Sequence, residues 1–568
     1  MDKFEYKNEK DCESGKASFK GKGGTRNGKK RYKGNHRTGK SSKSAEKRFE
    51  KGGAPGSDDG SNDFSWYNKY PDLINAAANI TWGEANGFPI QLDTSNSTKY
   101  TQPGIMALRC MPAYGMSKDE QSPLNTTSLS VFEVLTRLRS AQKGYDAADV
   151  TMYLIAVCQV YSCINWLTRI YAEARAISMN NAYLPRGLFE AEAVDMEDLV
   201  MHLEDYRGGL NYRIAQAAAF VVPNTMPIFQ RQAFMYQNIY SEGTSIKDQL
   251  YMFVPESFLR LNEVTDSGME LNTLFVWRPE IKYLKYQDLL GILDKMIAPI
   301  LNSTAIKFIA TDILHAYDGK ILSLGYVPEN LDIAPMFNVE VLEQIHNATI
   351  NPFINYELKQ KFNSNNVAFQ VVDTVPTTIT VNETAEPMTL RSLLAMRFNK
   401  LITTTTAQPS IPITVENTRL MSWCNVAINT TSGTGTLSDF VVGSEIVSAV
   451  EIVYMGENNT LKVKRIAAPS LNVMILNPDH MNLGLQSAFG YITPQELAQW
   501  SQFKFAPLVA LYATSAQASD VSPAAVATTF QGMYGDIDNY AIMHPDTLET
   551  LNRHVMFSLF DAVPFAVK

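Results

Sequence analysis

MYLIAVCQVYSCINWL, residues 152 to 167, is the most apolar run in the chain, and its reading decides the fold. A helix that spans a membrane needs about 20 predominantly apolar residues. This run has 16, and Gln159, Ser162 and Asn165 interrupt it at three-residue intervals. It is therefore expected to be a buried core helix.

Working outward, residues 125 to 240 read as helical. LSVFEVLTRLRSAQ (129 to 142) sets Val131, Val134, Leu135 and Leu138 on one stripe, and GLFEAEAVDMEDLVMHLEDY (187 to 206) does the same with Phe189, Met196, Leu199, Val200 and Leu203. Further helices are expected at 245 to 262, 284 to 316, 338 to 346 and 546 to 560. Another is expected at 493 to 503, where Thr493, Pro494 and Glu496 form a capping box. Between these, 367 to 384, 400 to 418 and 440 to 466 are rich in Val, Ile and Thr and punctuated by Pro, Gly and Asn, which predicts a β-rich block. The expected class is α+β.

At 568 residues and 45% hydrophobic content, the chain can bury a large core in two or three domains. The net charge of −8 hides a division. Residues 1 to 51 hold 17 of the 50 Lys and Arg and 7 of the 58 acids, so this arm carries 17 − 7 = +10 and the rest 33 − 51 = −18. No Val, Ile or Leu precedes Leu73, which predicts a disordered arm, and GGAPGSDDGSN (52 to 62) reads as its hinge. The four aromatics of FSWYNKYPDLI (64 to 74) are expected to dock the arm onto the body.

The five cysteines, Cys12, Cys110, Cys158, Cys163 and Cys424, have neither disulfide-framework nor metal-site spacing and read as reduced thiols. The N-terminus MDKFEYKNEKD has no apolar h-region, so the eight N-x-[ST] sequons are read as composition rather than as glycosylation sites.

GNHRTGKS (34 to 41) fits the phosphate-loop template, but a working loop needs a buried strand before it and a helix after it. KGKGGTRNGKKRYK ahead and SKSAEKRFEK behind supply neither, so a nucleotide site is not expected. The carboxylates Glu190, Glu192, Asp195, Glu197, Asp198, Glu204 and Asp205 fall mostly opposite an apolar stripe and read as a solvated face; His202 among them lacks a second ligand at metal spacing. No catalytic motif, cofactor motif or metal set is found.

The strongest functional signal is the arm. Lys20, Lys22, Arg26, Lys29, Lys30, Arg31, Lys33, Arg37 and Lys40 lie in a 21-residue stretch with six Gly and no acid, and Tyr32 and His36 are interleaved. Positive charge on a flexible chain suits phosphate backbones, contacted without sequence preference through counterion release. A localisation signal at KKRYK (29 to 33), an anionic membrane surface and a solubilising tail are the competing readings.

DFSWYNKYPDLI (63 to 74), QPGIMALRCMPAYG (102 to 115), LIAVCQVYSCINWLTRIYAEARAI (154 to 177) and RGGLNYRIAQAAAF (207 to 220) resemble picobirnavirus capsid proteins. The resemblance implies a virion subunit that assembles in the host cytoplasm, through symmetric dimers, into an icosahedral shell around double-stranded RNA. A viral polymerase inside the particle is a further implied partner; the host receptor is left open. It also implies a mainly helical shell domain and a β-richer projecting domain behind the disordered basic arm: arm and hinge 1–62, shell 63–350, projection 351–482, and a helical return to the shell over 483–568. A non-assembling nucleoprotein is the main rival reading, and a P-loop NTPase at 34–41 the lesser one.

Overall fold

The computed structural model describes residues 70–80, 89–91, 98–100, 104–115, 117, 121–138, 144–176, 183–245, 248–264, 268–276, 283–350, 356–360, 369–371, 378–380, 401–429, 434–455, 461–467, 473–476, 499–513, 529–534 and 537–562. Two units divide the chain, residues 1–82 and 83–568. In the first, Pro71–Ala78 forms a helix with no buried residue.

The second unit is built on a six-stranded sheet and the helices packed over it. The strands are β1 (Ile105–Pro112), β2 (Tyr240–Ser241), β3 (Leu250–Pro255), β4 (Met336–Phe337), β5 (Glu445–Met455) and β6 (Leu461–Ala467), in the order β6-β5-β1-β3-β2-β4. Strand β1, IMALRCMP, is buried at every position and pairs parallel with the buried LYMFVP of β3. Continuous apolar runs are what a strand covered on both faces requires. On its other side β1 pairs antiparallel with β5, with a bulge between Val447 and Ala449. There the Ser448 hydroxyl donates to the Arg109 carbonyl at 3.1 Å.

The helices are α1 (Pro123–Leu138), α2 (Ala147–Arg175), α3 (Tyr183–Glu192), α4 (Met196–Met201), α5 (Leu203–Ala217), α6 (Pro227–Gln237), α7 (Tyr286–Asn302), α8 (Thr304–Ala316), α9 (Val339–His346), α10 (Ile411–Asn417) and α11 (Pro545–Leu559). Helix α2 contains the 152 to 167 run and is buried on nearly all sides, packed on α1, α5, α6 and α7 and on strand Ser257–Val264. Each fully buried Leu, Ile or Val on it contributes about 1.5–3 kcal/mol. Of its polar members, Ser162 is absorbed within the helix, its hydroxyl donating to the Cys158 carbonyl at 2.8 Å, whereas Gln159 Nε2 is buried without a hydrogen-bond partner among the described residues. Cys110, Cys158 and Cys163 are buried free thiols.

Several local expectations are corrected. Residues 245 to 262 form strands β3 and Ser257–Val264 rather than a helix, the second in a hairpin with Gly268–Phe275. A short apolar run such as LYMFVP fits either period, and its position beside β1 decides. The span 284 to 316 is two helices bent by 81°, with the Ser303 hydroxyl capping α8 through the Ile306 amide at 3.2 Å. The span 187 to 206 is three helices, broken where Ala193 takes a φ of 56° and Val194 donates back to the Phe189 carbonyl at 3.0 Å. Residues 411–417, expected to be β, are helical, with Pro412 in the first turn. Leu138 of the α1 stripe is 53% exposed. The 493 to 498 start of the expected late helix and the aromatics at 64 to 67 lie outside the described residues.

Smaller sheets join Ser257–Val264 and Gly268–Phe275 to Leu358–Gln360 and Phe369–Val371, and Thr378–Thr380 to Thr434–Val441 and Trp423–Asn429. Strands β5 and β6, from the β-rich block, thus share a sheet with β1.

Candidate functional surfaces

Lys20, Lys22, Arg26, Lys29, Lys30, Arg31, Lys33, Arg37, Lys40 and the GNHRTGKS loop all lie outside the described residues. The structure does place the acidic tract, and there the reading changes. Glu192 is not on a solvated face: it is buried at the end of α3, 1% exposed. It accepts from Trp166 Nε1 at 2.7 Å and from Arg169 Nε at 3.1 Å, with Arg169 Nη2 also bound. Arg169 in turn donates to the Phe253 carbonyl at 2.8 Å, so α2, α3 and β3 meet at one guanidinium.

The second carboxyl beside Arg169 differs. Glu173 lies 3.3 Å from Arg169 Nε, but neither of its oxygens has a hydrogen bond. Burial pushes its carboxyl well above the usual range, the charge of Glu192 adds to the shift, and Arg169 opposes it. Three other acids of the tract have partners of their own. Asp195 caps α4 through the Asp198 amide at 3.1 Å, Glu190 accepts from Tyr283 at 2.9 Å, and Glu204 pairs with Arg207 at 2.8 Å. His202 stacks on Tyr286 with ring centroids 4.6 Å apart.

Two further ionic contacts tie distant segments together. Arg109 on β1 binds Glu451 on β5 at 2.7 Å and the Ala191 carbonyl at 3.0 Å. Arg231 on α6 binds Glu445 and Gln344, each at 2.7 Å. A clasp then forms around α9. Glu343 accepts from the Thr405 amide at 2.8 Å, from the Thr405 hydroxyl at 2.5 Å, from Thr404 at 2.9 Å and from Asn417 at 2.8 Å. Burial works against its ionisation, but the bonds from Thr405, Asn417 and Thr404 together outweigh that and hold its carboxyl below the usual range. Sequence reasoning missed all of these. The available signal was the charged pair Arg169 and Glu173 in an otherwise apolar helix, since buried charges require partners.

Among the described residues no group of three His, Cys, Asp or Glu could hold a metal ion. His346 lies buried with Nδ1 2.7 Å from the Ala506 carbonyl, while His315, His544 and His554 are exposed and dispersed. The buried ionic contacts join β1, β5, α2, α3 and α6, and their chemistry is that of a scaffold. Exposed apolar side chains sit elsewhere: Phe308, Tyr326, Met336, Phe337, Tyr540 and Ile542.

The sequence model of the picobirnavirus capsid protein family matches residues 66–492. The chain belongs to this family. Its members are structural coat components of virions, and the chain is accordingly a capsid protein and not an enzyme. The capsid protein precursor of Human picobirnavirus (strain Human/Thailand/Hy005102/-) is 25% identical over 299 residues, which are 50% of this chain and 54% of that one. The chain thus spans about half the length of the curated relative it matches. A crystal structure of the picobirnavirus capsid superposes with a TM-score of 0.70 at 18% identity, covering 89% of this chain and 100% of the solved one. That likeness establishes the fold: the mixed sheet with its helical cover is the picobirnavirus capsid fold.

Proposed function

We propose that this capsid protein assembles, through symmetric dimers, into an icosahedral shell that packages double-stranded RNA in the host cytoplasm, and that its basic arm contacts the RNA without sequence preference. Family membership carries the shell, and the +10 arm on a −18 body carries the RNA contact. The nine cations from Lys20 to Lys40 would act on the phosphate backbone. On the order of a hundred arms supply roughly a thousand positive charges against two phosphates per base pair, so they tether and recruit the duplex rather than condense it. A viral polymerase enclosed with the RNA would then find a mobile template.

We place the wall in 63–350 and 483–568 and draw the projection from 351–482. Within that segment β5 and β6 go with the wall, because they complete the sheet of β1. Particles made without residues 1–51 test the arm. They are expected to assemble and to lose most nuclease-protected RNA; a normal RNA content refutes the arm's role.

A further inference from the structure

Strand Asn539–Ile542 pairs antiparallel with Leu401–Thr404, in a continuous register from Leu401 opposite Ile542 to Thr404 opposite Asn539. Among the described residues it has no other neighbour strand, so within them one edge is unpaired. Tyr540 is 63% and Ile542 79% exposed, while Met543 and Leu548 anchor the segment in a small core with Ile402, Met421 and Val441. Open edges are normally blunted by Lys, Pro or a bulge. Residues 538 to 544 contain no Lys or Pro, and no bulge interrupts the pairing.

The sequence DNYAIMH (538 to 544) is also complementary to itself. A twofold axis perpendicular to a sheet pairs two copies of one edge strand antiparallel and sets one residue opposite itself. With Ala541 on the axis, Tyr540 of each copy faces Ile542 of the other, an aromatic and β-branched pair of the kind that stabilises sheets. Asp538 then faces His544 of the second copy, and both are exposed. The neighbouring charge at His544 is Asp546 of its own chain, at 3.4 Å. Centring on Ile542 would set Asp538 against Asp546, two like charges, and centring on Tyr540 would set Asp538 against Ile542; only the Ala541 register matches chemistry on both sides.

We propose that Asn539–Ile542 is a subunit interface, adding to the same strand of a second copy about a twofold axis at Ala541 to make a four-stranded sheet across two subunits. The proposal rests on the self-assembly reading and specifies one of its contacts.

The test uses the full chain with Ala541→Cys under mild oxidation, followed by a non-reducing gel and electron microscopy. Facing Cβ atoms in such a pair come within disulfide reach. The expected result is a linked dimer about tenfold above both the unsubstituted chain and Thr547→Cys. Adding Ile542→Lys, at a solvent-exposed position, should cut the yield about tenfold with an unchanged melting temperature. Ile542→Lys alone should weaken the dimer by a similar factor in sedimentation, which does not depend on the cysteine. Shells that form without the 541–541 link overturn the strand pairing and leave the coat reading standing; absence of both shells and link contradicts both.

Discussion

Glu173→Gln and Glu192→Gln should differ sharply, although both carboxyls are buried beside Arg169 on α2. Glu192 receives three hydrogen bonds, from Trp166 and from Arg169 twice, whereas Glu173 receives none. Removing one partner of a buried ion pair costs about 3–5 kcal/mol, because the other charge is left uncompensated. Glu192→Gln should sit near the lower end, about 3 kcal/mol, because Glu173 at 3.3 Å can ionise in its place. Glu173→Gln should cost little below the unfolded carboxyl range and become increasingly stabilising relative to wild type as pH rises toward neutral, since burial and Glu192 raise the wild-type carboxyl and the folded chain must hold a proton that the unfolded chain releases. The sign with pH follows from the raised value. Stability from protonated Glu173 is complete below the unfolded carboxyl range, near pH 4.3, and declines as pH rises toward the folded value, by at most about 1.4 kcal/mol per unit. The glutamine variant should lack that declining limb. Urea midpoints at several pH values from 5 to 8.5 measure both effects. Equal costs for the two variants at pH 7, or parallel pH profiles for wild type and Glu173→Gln, would refute the assignment.

Glu343→Gln should remove an opposite dependence. A carboxyl held low contributes stability that is present above the unfolded range near pH 4.3 and lost as pH falls through the folded value, so wild type should lose its advantage over the variant only in acid; melts from pH 3 to 7 check this. Ala193→Gly should stabilise by about 0.5–1 kcal/mol, because a φ of 56° after α3 is strained for alanine and free for glycine; a rise in the urea midpoint is the readout. Loss of packaged RNA on removing residues 1–51, and the 541–541 cross-link, complete the set.

Much of this fold was legible in the sequence, and the reason is length. The 152 to 167 run is apolar enough for a core, and at 16 residues with polar members at three-residue intervals it is too short and too interrupted for a membrane span, while the Val- and Ile-rich 440 to 466 segment reads as β. Short runs were not decided locally: LYMFVP became a strand because β1 lies beside it, and the 187 to 206 helix broke where Ala193 reverses the backbone. The ionic contacts were hidden for a different reason. Arg109 and Glu451 are 342 residues apart in sequence and Arg231 and Glu445 are 214 apart, so no spacing rule connects them. Glu192 looked like one acid among seven until the fold set it against Arg169. Self-complementarity at 538 to 544 is written in the sequence, but it acquires meaning only once that strand is an open edge.

Negative-stain electron microscopy of the purified full chain tests the central claim most directly. Closed shells of uniform diameter, built from this protein alone, are the expected result. A monodisperse small species that stays unassembled across salt and pH would contradict the account of the chain as a self-assembling coat subunit.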